Sequence, residues 1–231
     1  MQPYFFPYLG YFDLVRRVDC WVAFDTAQYT RGWINRNRIL HPTDGWQYIT
    51  VPVRRHPRST PIADIRTSED GAWQLRIERQ LQHYRRRAPN FEPVISLVHD
   101  CLALQEPSLA RLNVAILDRV CRFVDIPFNY RFLSELELDL GPIDRPADWA
   151  LRLAEALDAD EYVNAPGGRA LYDPAEFAAR GIRLTILSPT TWRYETPGYR
   201  FEPSLSILDT LMWRAGADVR EFLETRSRNA T

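Results

Sequence analysis

The strongest constraint on the fold is an alternation of helix and strand patterns across residues 144–189. In DRPADWALRLAEALDAD, the apolar residues Trp149, Leu153 and Leu157 recur at four-residue spacing, which predicts an amphipathic helix. This helix leads into EYVNAPGG, a strand followed by a glycine turn. The short helix PAEFAARG then ends at Gly181, and the apolar strand IRLTILSP follows it. Helices that alternate with strands in this way predict an α/β fold with a mostly parallel sheet covered by helices.

The rest of the chain adds helices and short strands to one domain that spans residues 1–231. A helical pattern fills residues 70–124, which we expect to form a helical insertion or cap subdomain. Within it, Ser108 opens SLARLNVAILDRVCRFV as the expected N-cap of a helix. The last helical segment of the chain breaks at Gly216. A further helix is expected over 11–17, and strand-like runs occupy 20–25, 46–53, 62–68 and 128–136.

The composition excludes several classes of function. All 29 basic residues are arginine, so no lysine is present for Schiff-base or nucleophilic chemistry. The net charge of -1 gives no overall field that favours nucleic acid, and no reader motif for nucleic acid is present. Three cysteines without CxxC spacing and four scattered histidines do not predict a metal site. No apolar run reaches about 18 residues and the opening is no signal peptide, so we expect a cytoplasmic protein without a membrane span.

The segment MQPYFFPYLGYF opens the chain with six aromatic residues, and its two prolines keep it out of a regular helix. We interpret it as the first loop of a binding site, because open α/β sheets bind ligands beyond the carboxyl ends of their strands. Phe5, Phe6 and Phe12 are expected in the core. Only Met1 precedes Gln2, so either MQPYF is the first strand or the natural chain begins further upstream. For three tyrosines the sequence does not decide between a place in the core and a place in the wall of a cleft: Tyr4, Tyr8 and Tyr11.

Polar side chains follow two of the predicted strands. Asp25 ends CWVAFD and is a candidate general base, although it has no identifiable histidine or cysteine partner for a triad. Gln28 lies just beyond it. After the strand EYV, Asn164 precedes Gly167 and Gly168, a pair that either lets the backbone approach a ligand closely or simply forms a turn.

The strongest polar signal is the run TRGWINRNRIL. On a strand, Asn35 and Asn37 face one side while Arg36 and Arg38 face the other. The arginine fork suits phosphate or carboxylate, and asparagine offers both a donor and an acceptor to sugar hydroxyls. The alternative is a solvated strand edge whose arginines pair with acidic residues.

Four segments together resemble the WbqC-like family of bacteria: QPYFFPYLGYF, FDTAQYTRGWINRNRIL, YVNAPGGRALYD and FEPSLSILDTLM. The resemblance covers nearly the whole chain. Members of that family are found among genes for surface polysaccharide, including O-antigen. The resemblance therefore implies an aminoacyl (glycyl) or acyl transferase that modifies an amino sugar. It implies a nucleotide sugar or glycan as substrate and an acyl carrier protein as a source of the activated group, and it identifies no cofactor.

The resemblance also gives roles to the candidate residues. Asp25 would accept the proton of the acceptor amine, and Gln2 and Asn164 would position sugar or carbonyl groups. Arg36 or Arg38 would hold a phosphate. The remaining side chains would contact the sugar, base or phosphate groups: Tyr8, Tyr11, Gln28, Trp33, Asn35, Asn37, Gly167 and Gly168.

The first and last motifs are also similar to those of the nucleotidylyltransferase superfamily. This similarity implies a Rossmann-like sheet and, as an alternative function, an ATP-dependent adenylating enzyme in which Ser204 and Ser206 hold ATP phosphates. The chain departs from that pattern, because Tyr11 follows Gly10 where a histidine is expected and Asp209 stands where a cation would help. The third alternative is a non-catalytic glycan-binding protein, since aromatic walls and rows of asparagine and arginine suit sugars without turnover.

Overall fold

The computed structural model describes residues 1–228, which form eight α-helices and six β-strands. The helices are α1 (Leu9–Arg16), α2 (Ala72–Leu81), α3 (Phe91–Leu102), α4 (Leu109–Phe123), α5 (Asp148–Ala156), α6 (Pro174–Ala178), α7 (Ile207–Trp213) and α8 (Gly216–Arg228). The strands are β1 (Trp21–Ala23), β2 (Arg36–Leu40), β3 (Trp46–Thr50), β4 (Tyr130–Phe132), β5 (Glu161–Asn164) and β6 (Arg183–Ile186). Short 3₁₀ turns join several of these elements.

The strands pair two by two. β1 and β4 are parallel, with Trp21 opposite Tyr130, and β5 and β6 are parallel, with Val163 opposite Thr185. β2 and β3 form an antiparallel hairpin. An α/β fold with parallel strand pairs is therefore confirmed. A single Rossmann-like sheet is not confirmed, since the strands of residues 1–228 form three separate two-stranded sheets.

The first residue lies alongside β1 in the manner of an additional parallel strand. The Met1 nitrogen donates to the Val22 carbonyl at 2.7 Å, and the Phe24 amide donates to the Met1 carbonyl at 2.7 Å. In a parallel ladder, one residue bonds to two residues of the neighbouring strand that lie two positions apart, as Met1 bonds to Val22 and Phe24. The chain then leaves β1 at Pro3, which has no amide hydrogen to continue the ladder.

Two hydrophobic cores lie within the described residues. The larger one contains the opening phenylalanines, which are completely buried as expected, and buried residues of α2, α3 and α4 such as Ile77, Val98 and Ile116. The helices of residues 70–124 therefore share a core with the opening segment. The smaller core belongs to the unit of α5, β5, α6 and β6, and it contains Ala150, Leu151, Ala154, Phe177 and Ile182.

The structure confirms most of the predicted elements and corrects one. The unit α5–β5–α6–β6 follows the predicted alternation, and the Ser108 hydroxyl caps α4 by accepting from the Arg111 amide. The strand expected over 62–68 is wrong. Its first residues form a 3₁₀ turn, Ile62–Asp64, and its later residues make only isolated bridges. The buried isoleucines Ile62 and Ile65 are three apart, a spacing that suits one helical turn rather than a strand.

The opening segment is irregular and mostly buried, so its carbonyl groups need partners from elsewhere in the chain. Asn113 on α4 donates to the Pro3 carbonyl at 3.0 Å, and the same side chain donates to the Ile34 carbonyl at 2.7 Å. Asn37 on β2 donates to the carbonyls of Phe5 and Phe6 at 3.1 and 2.9 Å. Buried asparagines on two different elements therefore hold the opening segment in place.

The start of α7 completes this set of contacts. The Ser206 hydroxyl donates to the Phe6 carbonyl at 2.8 Å, and the Ile207 amide donates to the Pro7 carbonyl at 2.8 Å. Phe6 has a φ angle of 39°, a left-handed conformation that is unfavourable for a side chain of this size. Two side-chain donors converge on its carbonyl and stabilise that conformation.

Substitution of Asn113 by alanine should therefore destabilise the whole protein. The change removes two buried hydrogen bonds and leaves two carbonyls unpaired, so the free energy of unfolding should fall by about 3 kcal/mol. Urea unfolding followed by far-ultraviolet circular dichroism would measure this loss. Asn129→Ala is the matched control, because Asn129 makes one exposed bond to the Asp19 carbonyl and its loss should cost less than about 1 kcal/mol. Equal losses in the two variants would contradict the anchoring role of Asn113.

Candidate functional site

The outward face of the β2–β3 hairpin carries two arginines among aromatic rings. Arg38 lies opposite Tyr48 across the hairpin, and its guanidinium carbon is 5.2 Å from the ring centre of Trp33 and 5.1 Å from that of Trp46. The guanidinium carbon of Arg36 is 4.2 Å from the ring centre of Tyr48. Both tryptophans are about two-fifths exposed, at 40% and 39%. We call these five side chains the arginine–aromatic face.

The two arginines on this face have unused hydrogen-bonding capacity. Neither forms an ion pair with a carboxylate within residues 1–228, whereas other arginines there, such as Arg17 and Arg122, do so. The buried Nε atoms of Arg36 and Arg38 have no partner there either. One nitrogen of the Arg38 guanidinium donates to the Ser204 carbonyl at 3.2 Å. A planar guanidinium between two rings, with donors still free, is suited to a phosphate that carries a base or sugar.

A pocket of about 210 Å³ adjoins this face at Ser204. Its wall is formed by Tyr8 and Leu9, by the loop that precedes α7 and by Thr210 of α7, and four of the lining residues are aromatic. The lining residues include Tyr8, Trp192, Tyr194, Phe201, Ser204 and Thr210. The pocket is smaller than the sites that hold drug-sized ligands, which usually exceed about 300 Å³. It therefore suits a small group that is attached to, or reacts with, a ligand on the neighbouring face.

The tyrosines of the opening segment differ from one another in their surroundings. Tyr11 is buried and donates to the Gln2 carbonyl at 2.6 Å, whereas Tyr4 and Tyr8 are half-buried. Burial raises the pKa of Tyr8, and the Asp13 carboxylate adds to that shift, so the hydroxyl stays protonated at neutral pH. The Tyr8 ring packs on Gly10, where an added Cβ would lie 2.5 Å from a ring carbon. A side chain at Gly10, in the first turn of α1, would therefore require the Tyr8 ring to move.

Asp25, the expected general base, is buried and already bonded. Both of its carboxylate oxygens accept from Ser134, one from the amide at 3.0 Å and the other from the hydroxyl at 2.6 Å. This contact ties the end of β1 to the turn after β4. Gln28 also lies apart from the arginine–aromatic face, because its amide donates to the Arg58 carbonyl at 2.8 Å. The half-buried amide of Gln2 has no hydrogen-bond partner in the part of the chain that is described.

The site that was expected around Gly167 and Gly168 belongs to the smaller unit of the fold. Asn164 accepts from the following Ala165 amide at 2.6 Å, and its side-chain nitrogen donates to the Tyr162 hydroxyl at 3.3 Å. A Cβ at Gly168 would lie 2.8 Å from that nitrogen and 2.9 Å from the Tyr172 ring. The segment therefore forms a tight 3₁₀ turn whose geometry is set by its own side chains.

Three further candidates face inward. Asn35 and Asn37 are buried, and they lie on the opposite side of the strand from the arginines, as their alternation predicts. The Ser206 hydroxyl accepts from the Leu208 amide in addition to its bond to the opening segment, so it caps α7. Ser204 is exposed and reaches the arginine–aromatic face only through its carbonyl.

The structure also reveals a buried carboxylate without a cationic partner. Asp209, in the first turn of α7, accepts from the Tyr84 hydroxyl at 2.6 Å and from the Tyr194 hydroxyl at 3.0 Å. The Tyr84 hydroxyl in turn accepts from the Leu40 amide at 3.0 Å, at the free edge of β2. Burial raises the Asp209 pKa to about 6, and the two tyrosine donors oppose that shift only partly.

Sequence reasoning missed several members of this site. Trp46 and Tyr48 lie at alternate positions of WQYITVPV, so the predicted strand already placed them on one face, but nothing in the sequence paired that face with the arginines. The pocket residues between Thr190 and Leu205 have no regular pattern to recognise. In residues 1–228 no group of three or more histidine, cysteine or acidic side chains is placed to hold a metal ion.

Comparisons with known proteins identify the family of the chain. The model of the WbqC-like protein family matches residues 2–221 of the chain. An uncharacterized protein of Mycobacterium tuberculosis is 32% identical over 226 residues, which cover 96% of this chain and 95% of that protein. No solved structure matches the chain. No helix within residues 1–228 is both long and apolar enough to cross a membrane.

The raised Asp209 pKa predicts a pH effect on stability. The folded pKa of about 6 lies above the ordinary value of 3.8, so this group favours the folded state below about pH 4, and that contribution is lost as the pH rises through 6. Asp209→Asn keeps an acceptor for Tyr84 and has no charge. Between pH 4 and pH 7, the free energy of unfolding of Asp209→Asn minus that of the wild type should rise by on the order of 3 kcal/mol.

Urea unfolding of both proteins at several pH values would measure this difference. Asp100→Asn on α3 is the control, since Asp100 is exposed and its removal should leave the difference from wild type nearly constant. If the Asp209→Asn variant also shows a constant difference, then Asp209 does not titrate in this range.

Proposed function

We propose that this chain, which belongs to the WbqC-like protein family, transfers an aminoacyl (glycyl) or acyl group to an amino sugar that is carried on a nucleoside diphosphate. In this proposal the product enters bacterial surface polysaccharide such as O-antigen, and the reaction takes place in the cytoplasm. The observation that carries the proposal is the Arg38 guanidinium between Trp33 and Trp46, without a carboxylate partner in residues 1–228.

The arginine–aromatic face accounts for the nucleotide part of the substrate. Arg36 and Arg38 would bind the diphosphate, because arginine matches phosphate oxygens with two parallel donors. Trp33 and Trp46 would stack on the base or the sugar, and such contacts contribute about 1–3 kcal/mol for each base. The neighbouring pocket would then receive the group that is transferred or the position that accepts it.

In the transfer, the acceptor amine bonds to the donor carbonyl carbon, the C–S bond of the carrier thioester breaks, and the proton lost by the amine neutralises the departing thiolate. Polarisation of the donor carbonyl favours this attack. The unpaired amide of Gln2 and the half-buried Tyr8 hydroxyl are the donors of the opening segment that remain available for the carbonyl. We assign Asp25 to holding β1 against β4, because Ser134 occupies both of its carboxylate oxygens. The activated group would come from a carrier, such as the thioester of an acyl carrier protein, whose phosphopantetheine phosphate also suits an arginine.

The adenylating alternative has less support in the contacts. It needs the Ser206 hydroxyl for ATP phosphates, yet that hydroxyl caps α7 and bonds to the Phe6 carbonyl. ATP–pyrophosphate exchange with purified protein and added amino acids separates the two activities. Exchange that depends on an amino acid would support adenylation, and no exchange would support transfer from an activated carrier or plain binding.

Arg38→Gln should weaken the binding of UDP, used here as the simplest nucleoside diphosphate. Loss of a charged fork that contacts phosphate should raise the dissociation constant at least roughly tenfold, and the wild-type affinity should fall as salt is added. Isothermal titration calorimetry would measure both effects. Arg122→Gln is the control, because Arg122 pairs with Asp118 on the surface of α4. No measurable UDP binding by the wild-type protein, or equal weakening by both variants, would contradict the proposed nucleotide site.

Asp25→Asn and Ser134→Ala weaken the same contact from its two sides, and Ser134→Ala leaves the bond from the Ser134 amide in place. If Asp25 only anchors the strand, each variant should lose about 1–2 kcal/mol of unfolding free energy, and both should retain UDP binding. Urea unfolding and calorimetry would compare the two variants. Once transfer is reconstituted with a carrier-bound glycyl group and a UDP-linked amino sugar, loss of turnover by Asp25→Asn alone would instead assign proton transfer to Asp25.

A further inference from the structure

Positive charge is concentrated in one stretch of the chain. Residues 26–90 contain twelve arginines and five acidic residues, although the whole chain has 29 arginines and 30 acidic residues. Part of this excess is exposed on α2 and on the 3₁₀ turn Gln82–Arg86 that follows it. Four exposed arginines lie there, and within residues 1–228 their side chains have neither an ion pair nor a hydrogen bond: Arg76, Arg79, Arg85 and Arg86.

The acidic residue of α2 does not neutralise these arginines. The Glu78 carboxylate pairs instead with the His99 ring of α3 at 3.0 Å. Leu75, Arg76 and Arg79 share one face of α2, because residues three and four apart are neighbours on a helix. Leu75 is 56% exposed on that face. We call this leucine and the four arginines the α2 surface.

The α2 surface borders a cleft that adjoins the pocket beside the arginine–aromatic face. The Tyr199 hydroxyl donates to the His83 carbonyl at 2.9 Å, and the Arg87 guanidinium donates to the Gly198 carbonyl. Tyr199 and Gly198 line an open cleft of about 640 Å³. The cleft and the pocket of about 210 Å³ share three lining residues: Arg193, Tyr194 and Phe201.

From these contacts we infer that the α2 surface docks an acidic carrier protein, whose phosphopantetheine arm reaches the pocket through the cleft. The inference rests on the proposed function and deepens it by giving the donor a docking surface that is separate from the arginine–aromatic face. Unpaired arginines attract the carboxylates of a partner and speed its association, and Leu75 offers an apolar contact among them. Arg214 lines the cleft, and its buried Nε has no partner within residues 1–228, so it suits the phosphate of the arm.

The side chains of the α2 surface favour a protein over other anionic partners. Single-stranded nucleic acid binds where its bases can stack on exposed rings, whereas Trp73 and Tyr84 of this segment are buried. Binding to a membrane surface requires a broad apolar helix face, and here Leu75 is the one large apolar side chain that is exposed. An acidic protein surface with a small apolar contact matches both the charge and the leucine.

Titration of a holo acyl carrier protein into the full chain, followed by isothermal titration calorimetry, would test the docking surface. Arg79→Glu and Arg86→Glu should each raise the dissociation constant at least roughly tenfold, and the wild-type affinity should fall as salt is added. Arg169→Glu is the matched control, because Arg169 is also exposed and has no ion pair in residues 1–228 but belongs to the smaller unit of the fold. It should leave the dissociation constant unchanged, and thermal melts would verify that every variant is folded.

Comparison of the carrier with and without its phosphopantetheine would test the path of the arm. The holo form should bind more tightly than the apo form, and Arg214→Gln should remove that difference while the apo form still binds. Equal weakening by Arg86→Glu and Arg169→Glu, equal affinities of the holo and apo forms, or tighter binding of a single-stranded RNA or an anionic phospholipid vesicle would overturn the inference. UDP titration of the same samples tests the nucleotide site separately: UDP binding that depends on Arg38, without binding of the carrier, would leave that site standing and remove only this inference.

Discussion

The rest of the structure depends on the need to pair the carbonyl groups of a buried segment that has no regular structure. Residues 2–7 cross the core with prolines at two positions, so they cannot satisfy their backbone within a helix or sheet. Their carbonyls instead accept from Asn113 on α4, Asn37 on β2 and Ser206 at the start of α7. Elements from the beginning, middle and end of the chain therefore meet at one short segment.

The same contacts build the candidate site. The inward Asn37 fixes β2 against the opening segment, and this turns its neighbours Arg36 and Arg38 outward toward the aromatic rings. The free edge of β2 is closed by two further bonds, from the Ser206 amide to the Arg38 carbonyl at 2.8 Å and from the Leu40 amide to Tyr84 at 3.0 Å. The guanidinium that we assign to phosphate binding therefore lies on a strand held along both edges, as a positioned binding group requires.

Charge is arranged unevenly around this strand. Asp13, Asp25 and Asp209 are buried, and each accepts hydrogen bonds from internal donors. The charges that stay unpaired in residues 1–228 at the site are Arg36 and Arg38 on the hairpin and Glu202 with Arg193 in the pocket.

The sequence by itself determined the local elements and the direction of their side chains. The four-residue spacing of Trp149, Leu153 and Leu157 gave α5, and the alternation in WINRNRI placed its asparagines inside and its arginines outside. Such features follow from chain geometry over a few residues. Only the tertiary structure decided that Ser134 occupies Asp25, that Asn113 holds the Pro3 carbonyl, and that Tyr8 and Trp192 line one pocket. These contacts join residues far apart in the chain or on an irregular loop, and local periodicity carries no information about which distant segments will meet.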